Sequence, residues 1–175
     1  MLHLTANNEP SVSLPSIHAL SSGMLSPQNE VLSWASVDFA QMIEAAGAES
    51  VVGAIGEHFK IGEARMRDII RHASPFLLRA HRHWMDRPGG RELLDRLARS
   101  GGPQQFADRP ALVSASVSEQ EGRVFLGHLF LDETVLALVA QRLASRLDMT
   151  SQKLEQMMPH LAALFVGCLC KSLTP

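Results

Sequence analysis

A chain of 175 residues and 19.1 kDa suffices for one domain of ordinary size with a single core. Its 46% hydrophobic and 19% charged residues exclude wholly disordered, collagen-like and low-complexity classes. The formal net charge of −2 is unevenly spread: residues 60–99 hold ten Lys/Arg against five Asp/Glu, and the remainder six against thirteen.

Residues 1–32 are rich in Ser, Asn and Pro with only isolated apolar positions, and they read as a flexible N-terminal arm. They also lack the basic start and apolar run of a secretory signal, and two cysteines make no disulfide framework, so a reducing cytoplasm is the expected compartment. Residues 33–175 read as a single all-helical domain. A weak helical pattern at Val37, Ala40, Met42 and Ile43 closes at Gly47. Val51, Val52, Ile55 and Phe59 recur at helical spacing, Lys60-Ile61-Gly62 breaks the run, and Met66, Ile69, Ile70, Ala73, Leu77 and Ala80 resume it. Pro75 inside this second helix predicts a kink or a split, because its ring removes a donor and crowds the preceding turn.

Pro88-Gly89-Gly90 ends that unit, and Leu93, Leu94 and Leu97 form a short helix closed by Ser100-Gly101-Gly102. From Pro103 onward little regular structure is expected before Val124. There Val124, Phe125, Leu129 and Phe130 open a helix reaching Asp132, an N-cap for the run Val135, Leu136, Val139, Leu143 and Leu147. Thr150 caps the last helix, whose apolar residues from Leu154 to Leu169 cover too wide a face for a surface helix, which predicts a central position. That helix is also too short an apolar stretch to cross a bilayer, which needs ~20 residues.

Residues 49–81 and 137–169 match each other at an offset of 88, with Ile55 on Leu143, Phe59 on Leu147 and Met66 on Leu154. Two pseudo-repeated helical hairpins follow as an expectation, each too apolar on one side to stand alone and so packed against the other. The whole reads as an all-α bundle of about six or seven helices.

Chemistry-bearing residues are sparse. His81/His83 and Cys168/Cys170 are each two apart, so on a helix they diverge and cannot share a metal; a Cys/His site across the two halves is the weaker alternative to a buried thiol and helix-end imidazoles. His128 and His160 stand among apolar neighbours and read as core-edge groups satisfied by backbone carbonyls. No nucleophile elbow, phosphate-binding loop or paired-carboxylate motif is present, so no enzyme, cofactor or metal is implied. The basic segment raises a nucleic-acid reading through Arg65, Arg67, Arg71, Arg79 and Arg82, weighed against a solvated face paired with acids. His128, Phe130, Met157, Met158 and Phe165 are the candidate binding residues, with flexible methionines able to line a groove as well as fill a core.

The run Phe125-Leu126-Gly127-His128-Leu129-Phe130, the helix of residues 135–147 and the final Met157-Met158-Pro159-containing helix, together with Phe106-Ala107-Asp108-Arg109-Pro110, resemble the bacterial domain of unknown function 937 family, which includes the YidB-like proteins. The resemblance covers roughly residues 48–171. It implies a small, all-helical cytoplasmic bacterial protein without an established activity, and so no catalytic residue is carried over. Leu131-Asp132 stands where that family has a Gly-Ser-like pair, and His160 where it has an apolar residue. The function expected is a non-enzymatic interaction or self-association module, working through apolar surface left over on the last helix as a homo-oligomer or with a protein partner. Nucleic-acid binding and small-ligand or metal binding are the alternatives, and no membrane partner is expected.

Overall fold

A computed structural model of the chain describes residues 38–174, and the predicted arm lies outside them. The described residues form eight α-helices and one 3-10 turn: α1 Phe39–Ala46, α2 Glu49–His58, α3 Glu63–Asp86, α4 Gly90–Ser100, α5 Gln105–Asp108, the 3-10 turn Pro110–Ser114, α6 Ser116–Phe130, α7 Glu133–Leu147 and α8 Ser151–Ser172. The predicted all-helical class stands. The additional helix is α5, in the stretch predicted to be a loop, and α6 begins eight residues before Val124.

Local sequence explains most boundaries. Asp38 caps α1 by accepting the Ala40 N–H at 2.8 Å, with Gln41 Oε1 accepting the Asp38 N–H in return. Gly47 ends it at φ 65, a left-handed conformation that costs a glycine nothing. Asp132 accepts the Thr134 N–H at 2.7 Å and Thr150 the Lys153 N–H at 3.3 Å, so both predicted N-caps are in place. Pro75 does not split α3, which runs through it as one helix. One residue before it, the Ser74 hydroxyl accepts the Phe39 N–H at 3.0 Å and donates to Asp38 at 3.1 Å, tying the start of α1 to the middle of α3.

α8 is the centre. Every residue from Met157 to Cys170 is buried, on all sides of the helix, so cover must come from several directions. α6 supplies the largest share, followed by α7, then α1 and α5. Phe39 meets Phe165 edge-on at 5.1 Å between ring centres, and Lys171 Nζ donates to the Ala46 carbonyl and to Asp108, each at 2.6 Å, fastening α1 and α5 to the end of α8.

The two predicted hairpins have corners built alike. Lys60 and Asp148 are both left-handed, at φ 53 and 47. The Ile61 N–H reaches back to the Gly56 carbonyl at 2.7 Å, and the Met149 N–H to the Ala144 carbonyl at 3.1 Å. Each pair of equivalent positions is 88 residues apart, the offset of the sequence match. The hairpins do not pack face to face, however. α2 lies chiefly against the 3-10 turn, and the halves meet mainly through α3 against α7. The physical reason is that the stretch expected to be loop supplies buried Phe106, Ala107 and Val113, which take the place beside α2 that the opposite hairpin was expected to fill. Arg65 adds a polar clasp between α3 and α7, donating to the carbonyls of Leu147 and Asp148 at the end of α7, where a cation also complements the helix dipole. Arg65→Ala is expected to cost about 1 kcal/mol and Arg67→Ala under ~0.5; urea midpoints compare the two.

Candidate functional site

The predicted groove on α8 does not exist as surface. Met157, Met158 and Phe165 are each 0% exposed, because α8 is enclosed on every side, so these three are core residues and not binding residues. His128 is half-buried with its ring stacked on Trp84 at 5.6 Å and 10°, and its carbonyl accepts from Arg87. Phe130 is half-buried at the end of α6. On the basic face Arg65 clasps α7, while Arg67 pairs with Glu63 and Arg71 with Asp68 on the exposed surface of α3. Arg79 and Arg82 are exposed one turn apart on α3. His81, expected at a helix end, instead lies against Phe165 and Trp84 at 6.1 and 6.5 Å. Among the described residues no three His, Cys, Asp or Glu groups converge to hold a metal. Burial pushes the Cys168 and Cys170 thiols up to about 12, leaving both as unreactive core groups.

One polar cluster is internal. Ser118 Oγ and His160 Nδ1 lie 3.3 Å apart, with the His58 ring 5.4 Å from that of His160. The partner of His160 is therefore a hydroxyl and not the expected carbonyl. At 4% and 5% exposure, Ser118 and His160 are closed to any substrate, and burial first, then the neighbouring His58, hold the His160 pKa below the usual range. The adjacent Glu119 is engaged by Arg123, whose hydrogen bond and charge lower its carboxyl pKa. The cluster joins α6 to α8 and offers no free nucleophile.

The surface that stands out lies where α6 meets α7 at a bend of 100°. Val117, Val124 and Leu131 follow one another at heptad spacing along α6 and are 40%, 53% and 71% exposed; Val135 and Leu138 on α7 are 42% and 59% exposed. Leu131 ends α6 at φ 58, its N–H on the Gly127 carbonyl at 3.2 Å. A left-handed leucine bears strain that a glycine would not. Leu131→Gly is therefore expected to raise monomer stability by about 0.5–1 kcal/mol, read from the shift in thermal midpoint. Behind this ridge Phe76, Val135, Leu138 and Val139 line a groove of about 780 Å³, bordered by Gln141, Arg142, Ser145 and Arg146. Neither Arg142 nor Arg146 has an ion pair or hydrogen bond among the described residues. Sequence reasoning missed this face, although one signal was present: Leu138 falls off the stripe Val139, Leu143 and Leu147 that faces the core, and an apolar residue outside the buried stripe has no folding role to explain it. Comparison with family models, curated proteins and solved structures gives no match to this chain.

Proposed function

We propose that this chain is a non-enzymatic protein-interaction module and that its contact face is the α6–α7 corner. The observation that carries the reading is the joint exposure of Leu131, Val135 and Leu138 at a groove whose edge holds Arg142 and Arg146, neither paired among the described residues. Contiguous apolar surface with a polar rim is characteristic of protein contacts, and arginine is the charged residue enriched in them. A leucine kept left-handed and mostly in solvent at position 131 costs the monomer stability in both respects, which fits selection for a contact and not for folding. The test is a photoreactive benzophenone amino acid at position 138, with position 91 on α4 as the exposed control, illuminated in the source cells. A discrete adduct from position 138, weakened by Leu131→Glu and absent from position 91, is the expected result. No adduct, or the same ladder from both positions, overturns the reading.

A further inference from the structure

We infer that the groove between α3 and α7 receives an amphipathic helix of a partner protein, one whose inward side is apolar along most of its length and acidic at one end; the inference rests on the interaction reading above. The lining of the groove is polarised. At ~100° per residue, Val135, Leu138, Val139, Arg142 and Arg146 fall within an arc of ~100° on α7, so the five share one helix face, and all of them line the groove with Phe76 of α3. The three apolar residues come first and the two arginines follow, so this face is apolar in its first half and cationic in its second. None of the groove-lining residues is acidic, and Glu133 points to the opposite side of α7. Arg142 and Arg146 are both exposed. Two guanidiniums four residues apart on one face repel each other, and carboxylates laid against them turn that repulsion into attraction.

The shape of the groove selects the kind of occupant. Arg65, near the start of α3, reaches the carbonyls at the end of α7, and Arg87, just past the end of α3, reaches the His128 carbonyl shortly before α7 begins. The two helices therefore run side by side in opposite directions. From Val135 to Arg146 the shared face extends ~16 Å, three helical turns, and it is open along its length, with Val135 42% and Leu138 59% exposed. A wholly apolar chain laid there would keep its outer side in water. An amphipathic helix buries its apolar side and hydrates the other, which is how such helices enter open grooves, with anchors at i, i+3, i+4 and i+7. Leucines at that spacing meet Val135, Leu138 and Val139, and acids one turn apart beyond them meet Arg142 and Arg146.

Fluorescence anisotropy of labelled synthetic helices against the purified full chain tests the pairing. The probe is a peptide of about fourteen residues, about 21 Å long when helical, with leucines at the anchor spacing, two glutamates four residues apart beyond them on the same side, and alanine elsewhere to favour the helix. A second peptide carries lysine in place of both glutamates. The expected result is saturable binding of the glutamate peptide, at least ten-fold tighter than that of the lysine peptide and weaker as salt rises. Leu138→Glu is expected to weaken it at least ten-fold while circular dichroism of the chain stays helical, and Arg142→Glu with Arg146→Glu to reverse the preference in favour of the lysine peptide. A merely adhesive apolar surface gives neither the preference nor its reversal. No binding up to ~1 mM, equal binding of the two peptides, or a preference that survives the double reversal overturns the acidic helix. A discrete adduct from position 138 would then leave the interaction reading intact with a partner of other chemistry, and an adduct with the mass of two chains would make that partner a second copy.

Discussion

Gly122→Ala is expected to lower stability by about 3 kcal/mol or more, a large part of the ~5–15 kcal/mol that holds a domain of this kind together. A Cβ at Gly122 meets the Pro159 carbonyl oxygen at 2.0 Å, its carbon at 2.5 Å and the Pro159 Cα at 2.9 Å. All three are backbone atoms of α8, so no side chain can turn aside to make room, and the most extensive helix contact in the fold must open instead. Helix propensity alone favours alanine over glycine by about 1 kcal/mol, so the sign of the result separates packing from propensity. Gly53→Ala is the control. That position lies exposed in α2 with nothing within 4 Å of the added carbon, and the same substitution there is expected to gain about 0.5–1 kcal/mol. Urea denaturation of the two variants, followed by circular dichroism, gives midpoints shifted in opposite directions. Equal shifts would refute the close approach of α6 and α8.

The second large effect is a loss of stability in mild acid. Burial first, and the neighbouring Arg82 second, bring the His81 pKa down to about 4. His128 and His160 are lowered in the same direction, each by burial above all. In the unfolded chain these imidazoles titrate near the ordinary value of ~6.5. Above that pH both states hold them neutral and they make no difference. Below it the unfolded chain takes up protons that the folded chain refuses, so stability falls as the pH drops, and the loss from His81 continues until the folded state itself titrates near pH 4. At about 1.4 kcal/mol per unit, His81 alone accounts for about 3 kcal/mol across this window. Denaturation midpoints at pH 7 and pH 4.5 test it: the wild-type difference is expected to shrink markedly in His81→Leu, which has no proton to accept. An unchanged difference would place the acid sensitivity elsewhere.

Caps and periodicity were legible because they are local. The Asp132 and Thr150 caps, the Gly47 stop and the break at Lys60-Ile61-Gly62 depend only on side chains within a few residues, and the structure has them where the pattern puts them. The first two turns of α6 were not legible. Their buried residues are Ser118 and Gly122, one hydrogen-bonded to His160 and the other kept bare by Pro159, so the segment carries no apolar period to read. The predicted binding residues on α8 failed for the converse reason: apolar residues all round a helix announce burial, and Met157, Met158 and Phe165 obey it completely.

By itself, then, the sequence determined an all-helical chain, its central last helix and the pair of matching corners, since each follows from spacing and from hydrogen bonds made within a turn or two. Only the tertiary structure decided which apolar residues stay in water. Leu138 and Leu143 are the same side chain on the same helix, yet one is 59% exposed and the other 0%. The difference arises because a helix has more than one face and the elements that cover it come from distant parts of the chain. The exposed corner at Leu131 and Leu138, on which the functional reading rests, is what remains after α3, α6 and α8 have taken the other sides.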